Sequence, residues 1–182
     1  RTLGAEAVVP VQHHHAHMAA CMAENGWEGE VIGLVLDGTG YGTDGAVWGF
    51  EVLAGGCEGF RRIAHLAYSP LPGSEAAVRR PLRTAAGMVW AHLGADALAR
   101  VAALHPDRAG EIENVGRLLA AGINCPQAGT AGRLFDGVAA LLGICLEATY
   151  EGQAAIELGA VADREPDGVY PFRLEGAEIL PG

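Results

Sequence analysis

The chain has 182 residues, half of which are apolar, so it is long enough to bury a core as one domain or two small lobes. Its net charge is −10 and it has only 12 lysines and arginines, which argues against a nucleic-acid partner because binding phosphate backbones requires clustered cations. It also has no run of about 18 apolar residues, and we therefore expect no membrane span.

The chain begins with Arg1 and carries no secretory signal pattern. Because an initiator methionine is missing, we expect residues 1–182 to be a single fragment of a longer protein. The cysteines are widely separated and form no CxxC pair: Cys21, Cys57, Cys125 and Cys145. Cys21 and Cys145 are predicted to be free, buried thiols on apolar helix faces. This usage predicts a reduced, cytoplasmic chain with neither a disulfide framework nor a cysteine-based zinc site.

The first patterned segment, VQHHHAHMAACMAENG at residues 11–26, is predicted to be a helix. Residues four apart share a helix face, so His13 and His17 project together, and a second face led by His14 is predicted to be core. That core face continues through Met18, Cys21 and Met22. A helical HxxxH pair presents two neutral nitrogen ligands to one metal ion. Isolated histidines are more often core or surface residues, however, and two ligands do not complete a metal site.

The segment EVIGLVLD, residues 30–37, predicts a buried strand that ends at Asp37. The segment GTGYGTDG at 38–45 then connects it to a second strand, AVWGFEVL at 46–53, as a glycine-rich hairpin. Asp37 is the candidate third metal ligand, because α/β folds place functional groups at strand ends. The alternative is that Asp37 caps the turn, as Asp-Gly pairs commonly do.

Glycines alternate along this connection, at Gly38, Gly40 and Gly42. The G-x-G-x-G pattern matches neither the dinucleotide fingerprint nor the Walker motif. It predicts a hairpin whose backbone can approach an anion closely and aim N–H groups at a phosphate. Thr39 and Thr43 could add hydroxyl donors.

A third extended segment, residues 56–73, ends in a Pro-Gly turn, after which the pattern becomes helical. Ser74 and Glu75 form a candidate N-terminal cap, and Pro81 is expected to start, kink or break a helix. The predicted elements that follow are helices at 83–93, 95–104 and 108–121, a loop at 122–132, helices at 133–146 and 150–164, and a closing strand at 168–176. The order of strands, then helices, then a strand indicates an α/β or mixed α+β layer fold.

The helix at 133–146 carries apolar residues at helical spacing: Leu134, Val138, Leu141 and Cys145. Phe135 is also predicted to be core. Asp136, in the first turns of this helix, either favours the helix dipole or binds ribose hydroxyls of a nucleotide. Glu157 has the same two interpretations, and for each residue alone a solvated charge is the simpler one.

Five motifs, taken in order, resemble the HypF family of carbamoyltransferases over residues 8–162. They are VQHHHAHMAACMAENG, VIGLVLDGTGYGTDGAVWGFEVL, PLPGSEAAVRRPLR, AGRLFDGVAALLG and YEGQAAIEL. The resemblance implies part of an actin-like ATPase (acetate/sugar kinase–heat-shock–actin) fold, with a strand hairpin, a helical segment and a mixed sheet. It points to the domain that is related to the tRNA threonylcarbamoyladenosine synthases.

This family implies a carbamoyltransferase of nickel–iron hydrogenase maturation. Other domains would convert carbamoyl phosphate and ATP to carbamoyl adenylate, and this domain would pass the carbamoyl group to the C-terminal cysteine of a HypE-type partner for cyanide-ligand synthesis. By the resemblance, His13, His17 and Asp37 bind a divalent metal and serve catalysis; zinc, iron, manganese and, less well, magnesium suit such ligands. The implied nucleotide-binding residues are Gly38, Thr39, Gly40 and Gly42 for phosphate, and Asp136, Gly152 and Glu157 for the ribose.

Two positions depart from the family pattern: Arg80 replaces a more frequent acid, and Thr130 replaces a serine. The family also has further domains before this region and a late metal-binding aspartate after it, so the chain alone is expected to hold an incomplete metal shell and to be inactive. One alternative is an O-carbamoyltransferase of the antibiotic or nodulation type, which shares the fold and the HxxxH element. The other is a nucleotide- and metal-binding module without turnover.

Overall fold

The computed structural model describes residues 9–163 and 168–181 as a mixed α/β fold. Among these residues, the helices are α1 (His13–Glu24), α2 (Glu75–Arg79), α3 (Pro81–Leu93), α4 (Leu98–Leu104), α5 (Ala109–Ala121), α6 (Ala131–Leu141) and α7 (Gln153–Val161). The strands are β1 (Val31–Tyr41), β2 (Val47–Gly56), β3 (Gly59–Leu66), β4 (Ser69–Pro70), β5 (Gln127–Thr130), β6 (Phe172–Glu175) and β7 (Glu178–Pro181). Short 3₁₀ turns at Ala95–Ala97 and Pro106–Arg108 precede α4 and α5.

The described strands form one mixed sheet in which β2 is the central strand. One edge of β2 pairs with β1 in antiparallel fashion. The other edge pairs with antiparallel β3 along residues 51–56 and with parallel β5 along residues 47–49. The sheet continues through β4 beside β5, and through β7 and β6 beyond β3. The mixed sheet and its helices confirm the predicted fold class.

The hairpin of β1 and β2 contains a bulge that carries candidate site residues. Leu36 and Gly40 have partners on β2 that are only two residues apart, so residues 37–39 oppose a single residue, Gly49. Gly49 is needed there because a Cβ on it would lie 2.5 Å from the carbonyl oxygen of Asp37. At the bulge, Asp37 therefore no longer follows the regular alternation of side chains between the two faces of the sheet.

The predicted hairpin is confirmed, but its predicted bounds are wrong. Its first strand is also not buried as predicted: α1 covers only one face of β1, and Ile32, Leu34 and Leu36 on the other face are 78%, 61% and 53% exposed. β1 continues past Asp37 to Tyr41, so the connection comprises residues 42–46 instead of 38–45. The bounds were misplaced because alternating glycines are typical of turns, so the sequence predicts that the turn begins directly after Asp37. In the fold they allow close contacts along an irregular strand instead: a Cβ on Gly40 would lie 2.4 Å from the ring of His14.

Helix α1 covers one face of β1 and β2. The apolar residues at this interface, each at most 8% exposed, are Met18, Met22, Val35 and Leu53. His14 is fully buried on this face, as predicted. Cys21 is exposed, so its predicted place in the core is wrong. It lines an open groove between α1 and β1, where the side chain remains accessible to solvent.

The helices α3 to α6 form a layer whose predicted positions are confirmed with small shifts. Pro81 starts α3, because its fixed φ suits the first turn and its missing N–H would be unpaired there anyway. The core of the layer includes Leu82, Val89, Ala97, Val101 and Ile112. The predicted helix at 150–164 corresponds to α7. Its residue 164, like residues 1–8, lies outside the described residues.

Two predictions about chain direction changes are wrong. The predicted loop at 122–132 contains β5, whose small residues let the strand pass close to its neighbours: a Cβ on Gly129 would lie 2.4 Å from the carbonyl oxygen of Leu66. Ser74 does precede α2, but it has a positive φ of 54° and its side chain makes no capping hydrogen bond. The closing strand at 168–176 is confirmed as β6, and β7 is an additional strand.

Two predictions about α6 also need correction. Phe135 is 44% exposed and not core, because the buried face of α6 runs through Asp136 and Ala140. Cys145 is buried, as predicted, but it follows the end of α6 and does not belong to the helix. Among the described residues, each helix is too short or too polar to span a bilayer.

Candidate metal centre and adjoining cavity

Helix α1 brings the predicted imidazole pair together. Its N-cap residue, Gln12, accepts a hydrogen bond from the backbone N–H of His15 through its side-chain oxygen, at 2.9 Å. One helical turn then separates His13 from His17, and their Nε2 atoms lie 3.2 Å apart. Both side chains are about half exposed, so the pair is accessible from solvent.

The bulge of β1 places Asp37 beside this pair. Its Oδ2 atom lies 3.0 Å from Nε2 of His13 and 4.0 Å from Nε2 of His17. Its Oδ1 atom accepts a hydrogen bond of 2.6 Å from the backbone N–H of Gly38. One oxygen is thus held by the bulge while the other faces the imidazoles.

The donor set fits a divalent cation. Ligand atoms of His13, His17 and Asp37 all lie within 4.8 Å of one another. Ligands bound to zinc at about 2.0–2.1 Å are roughly 3.3 Å from one another in a tetrahedral site, which is close to the observed contacts. Two imidazoles and one carboxylate leave coordination positions for a substrate or further ligands.

His14 lies directly behind this trio. Burial lowers the pKa of His14 to about 4, against the opposing effect of the Asp37 carboxylate, so the ring is neutral at pH 7. Its Nε2 atom lies 3.6 Å from Oδ2 of Asp37 and has no hydrogen-bonding partner among the described residues. The core prediction for His14 is confirmed, but its contact with the candidate ligand is a feature that the spacing did not reveal.

A cavity of about 760 Å³ begins at the same aspartate. It extends between the bulge of β1, the start of α6 and the start of α7, and it includes Gly38 and Thr39. The predicted nucleotide residues Asp136 and Gly152 also line it, together with Arg133, Arg79 and the segment 148–154. The structure therefore brings Asp37, Gly38, Thr39, Asp136 and Gly152 to one cavity.

Arg133 and Asp136 form a buried ion pair in the wall of this cavity. Nε of Arg133 lies 2.9 Å from Oδ2 of Asp136, and their side chains are 14% and 7% exposed. The two atoms are not aligned for a hydrogen bond, so Nε and Nη1 of Arg133 and Oδ2 of Asp136 have no hydrogen-bonding partner among the described residues. Burial raises the pKa of Asp136, and the guanidinium opposes this shift. A guanidinium in the wall of a cavity suits an anionic ligand.

Three predicted nucleotide residues lie outside the cavity lining. Gly40 packs against the rings of His13 and His14. The backbone N–H of Gly42 donates to the carbonyl oxygen of Ala46 at 2.9 Å, so it closes the hairpin and does not point to an anion.

Glu157, the third of these residues, accepts a hydrogen bond of 2.8 Å from the side-chain amide of Gln153, one turn earlier on α7. Arg133, in contrast, was not among the predicted residues although it belongs to the cavity wall. The sequence feature that indicates it is a cation at the start of a largely apolar helix, three residues before Asp136.

Two family models match the chain. The model described as carbamoyltransferase, Kae1-like domain, second subdomain, matches residues 33–181. The model described as HypF Kae1-like domain matches residues 1–24. Together they account for both the helix that carries the imidazoles and the hairpin that carries the aspartate.

Comparison with individual proteins gives the same family. The chain is 46% identical to carbamoyltransferase HypF of Rhodobacter capsulatus, over 85% of this chain and 21% of that protein. It is 44% identical to a carbamoyltransferase HypF homolog of Cupriavidus necator, over 94% of this chain and 43% of that protein. A crystal structure of full-length HypF in the phosphate- and nucleotide-bound form superposes with a TM-score of 0.85 and 38% identity, covering 97% of this chain and 24% of that one. The chain spans less than half the length of these relatives.

Proposed function

This chain belongs to the HypF family of carbamoyltransferases, and from that premise we propose that it carries the site at which a carbamoyl group passes from carbamoyl adenylate to an acceptor thiol. The adenylate would derive from carbamoyl phosphate and ATP. The acceptor would be the C-terminal cysteine of a HypE-type protein, and the product would serve cyanide-ligand synthesis in nickel–iron hydrogenase maturation. The observation that carries the proposal is the position of Asp37, which belongs both to the imidazole–carboxylate trio and to the wall of the cavity.

The trio supplies the cation site of this proposal. His13, His17 and Asp37 would hold a divalent metal ion such as zinc, iron or manganese, or less readily magnesium. Such an ion would act as a Lewis acid that polarises a carbonyl or phosphoryl oxygen of the substrate. The three side chains would hold the ion next to the cavity, because Asp37 belongs to the trio and also lines the cavity.

The cavity supplies the nucleotide site. The adenylate is a mixed anhydride with an anionic phosphate, and the guanidinium of Arg133 in the cavity wall would oppose that charge. Gly38 and Thr39 would line the same wall. Asp136 and Gly152 would lie beside the ribose. A volume of about 760 Å³ is within the range of small-molecule sites.

The chemistry needs no nucleophile from this chain. The acceptor sulfur would form a bond to the carbamoyl carbon, and the bond from that carbon to the phosphate oxygen would break, so that AMP leaves and the thiol releases its proton. The residues near Asp37 would orient the anhydride and exclude water from it, which favours thiol attack over hydrolysis. Substitution of the trio should therefore affect the transfer itself.

The test supplies carbamoyl adenylate, a divalent metal and a HypE-type acceptor, and it measures carbamoylation of the acceptor cysteine by mass spectrometry. We expect transfer with the full-length protein that contains this chain, and loss of transfer when that protein carries His13→Ala/His17→Ala. The control is His92→Ala, which should retain transfer, because this histidine contacts Ser69 and belongs neither to the trio nor to the cavity lining. Unchanged transfer in the double variant would refute the proposal.

The same assay separates the two alternatives. An O-carbamoyltransferase would modify a sugar hydroxyl supplied in place of the thiol acceptor. A binding module would retain metal and nucleotide in equilibrium dialysis but modify neither acceptor. The relatives named above are HypF proteins, which favours the thiol acceptor.

A further inference from the structure

We propose that Gln12 and His14 form a relay that locks the His14 tautomer and thereby positions the carboxylate of Asp37. The inference deepens the proposed function and rests on it, because Asp37 is a proposed metal ligand. The relay begins at the N-cap of α1, passes through a ring that is fully buried, and ends at the oxygen atom that faces the imidazole pair.

The orientation of the Gln12 amide is fixed by two contacts. Its Oε1 atom accepts a hydrogen bond from the backbone N–H of His15 at 2.9 Å. Its Nε2 atom donates to the carbonyl oxygen of Tyr41 at 3.3 Å. A flipped amide would place its N–H₂ group against the N–H of His15 and its oxygen against the carbonyl oxygen of Tyr41, so the assignment of oxygen and nitrogen follows from the surrounding backbone.

The amide orientation then decides which ring nitrogen of His14 carries a proton. Nε2 of Gln12 lies 3.1 Å from Nδ1 of His14. Because an amide nitrogen can only donate, Nδ1 must be the acceptor. A nitrogen that accepts a hydrogen bond carries no proton, so the ring proton of His14 is on Nε2.

The protonated nitrogen faces Asp37. Nε2 of His14 lies 3.6 Å from Oδ2, the same oxygen that lies 3.0 Å from Nε2 of His13. Closing this gap to a normal hydrogen bond needs a movement of about 0.5 Å. Gly40 permits the approach, because a Cβ there would lie 2.4 Å from Cε1 and 2.9 Å from Nε2 of His14.

A ring that only filled space would not need this polar arrangement. His14 has one nitrogen engaged by Gln12, and its other nitrogen has Asp37 as the nearest carboxylate. Hydrogen bonds behind a ligand hold it in place, and their loss commonly reduces metal affinity by about 10- to 100-fold. His14 is thus assigned as a positioning residue and Gln12 as the residue that sets its tautomer.

The decisive variant is Gln12→Glu. A carboxylate can still accept from the N–H of His15 and cap the helix, but it cannot donate to Nδ1 of His14. We expect the ring proton to move to Nδ1, which would turn the lone pair of Nε2 towards Asp37. The ¹⁵N spectrum of the metal-free chain reports this directly, because protonated and unprotonated ring nitrogens have distinct shifts.

The second measurement is the affinity for Zn²⁺ or Mn²⁺ by calorimetry. We expect a loss of about tenfold or more for Gln12→Glu and for His14→Phe, with Cys21→Ser, exposed on the same helix, unchanged. Far-UV circular dichroism checks that α1 remains folded in each variant.

The two proposals fail in different ways. If the full-length protein that contains this chain binds no metal, the proposed metal site is wrong, while the ¹⁵N spectrum still decides the tautomer. If the natural chain carries its proton on Nδ1 of His14, or if Gln12→Glu binds metal as tightly as the natural chain, the relay is wrong.

Discussion

Gly132, in the first turn of α6, is in backbone contact with Gly38, in the bulge of β1: a Cβ on Gly132 would lie 2.9 Å from the Cα of Gly38. This contact seats the helix that carries Arg133 and Asp136 directly on the segment that carries Asp37. The candidate metal centre and the cavity therefore share one rigid junction. Changes at the junction should disturb both.

Substitution of Gly132 by alanine tests the junction. The added methyl group meets backbone, which cannot rotate away, so we expect a loss of about 1–3 kcal/mol in the free energy of unfolding, with weaker nucleotide binding. Gly159→Ala is the matched control, because nothing lies within 4 Å of a Cβ at that position of α7. Alanine there should stabilise the helix by about 0.5–1 kcal/mol. Urea denaturation measures the free energy of unfolding of both variants. Equal changes in the two variants would contradict the close contact between Gly132 and Gly38.

Replacement of Arg133 tests the proposed anion site of the cavity. Hydrogen bonds to charged groups contribute about 1.5–3 kcal/mol, so Arg133→Met should weaken ATP binding by about 10-fold or more. Arg133→Lys keeps the charge opposite Asp136 but loses the fork, and it should recover part of the affinity. Arg117→Gln, an exposed arginine on α5, is the control. Calorimetry with ATP gives the constants, and wild-type affinity in Arg133→Met would remove this residue from the site.

The elements whose pattern is local were predictable from the sequence. The four-residue spacing of His13 and His17 puts both rings on one helix face regardless of the rest of the fold. The apolar run before Asp37 likewise predicts a strand that delivers this carboxylate next to the helix. The structure brings these three side chains together, although the strand ends later than expected and one of its faces is exposed.

The residues that escaped prediction depend on contacts between distant segments. His14 became part of the site because the bulge of β1 faces it, and a bulge is a pairing irregularity that the sequence of one strand does not reveal. Arg133 reaches the cavity because α6 starts against Gly38. Gly42 lies in a glycine-rich segment typical of ligand-binding loops, but its N–H donates to the carbonyl oxygen of Ala46 within the hairpin. Composition alone does not distinguish these two uses of glycine.

Acid stability should reflect Asp44, which sits at the connection of β1 and β2. Burial alone would raise the pKa of Asp44, but hydrogen bonds from Tyr68, the N–H of Ala46 and Trp48 lower it to about 2. A lowered pKa in the folded state stabilises the fold above the unfolded value of about 3.8, and this contribution is lost as the pH falls towards 2.

Removal of one of these donors should therefore reduce the acid sensitivity. Tyr68→Phe deletes the O–H that donates to Oδ2 of Asp44 at 2.6 Å, so the pKa of Asp44 should rise towards its ordinary value. NMR titration of the carboxyl carbon measures this pKa. Ser69→Ala, which leaves the carboxylate and its donors in place, is the control. An unchanged Asp44 titration in Tyr68→Phe would contradict the assigned cause.

Glu51 on β2 and Arg62 on β3 form a buried pair, and breaking this pair should give the largest loss of stability among these predictions. Glu51 is 0% exposed, and both of its oxygens accept hydrogen bonds from Arg62, at 2.6 and 3.0 Å. The guanidinium also stacks 3.7 Å from the centroid of Trp48. Arg62→Met leaves a buried carboxylate unpaired and should cost about 3–5 kcal/mol at pH 7. Arg61→Met, its exposed neighbour on β3, should cost little.

The pH dependence of that loss identifies its origin. Burial raises the pKa of Glu51 even with Arg62 present, and removing the guanidinium removes the strongest opposing effect. A raised pKa means that the folded state keeps a proton which the unfolded state releases above about 4.5, so the stability of Arg62→Met should fall as the pH rises from that value. The double variant Glu51→Gln/Arg62→Met should lose this dependence and regain part of the stability, as measured by urea denaturation across the pH range. A pH-independent loss in Arg62→Met would assign the cost to the missing stack on Trp48 and not to the unpaired carboxylate.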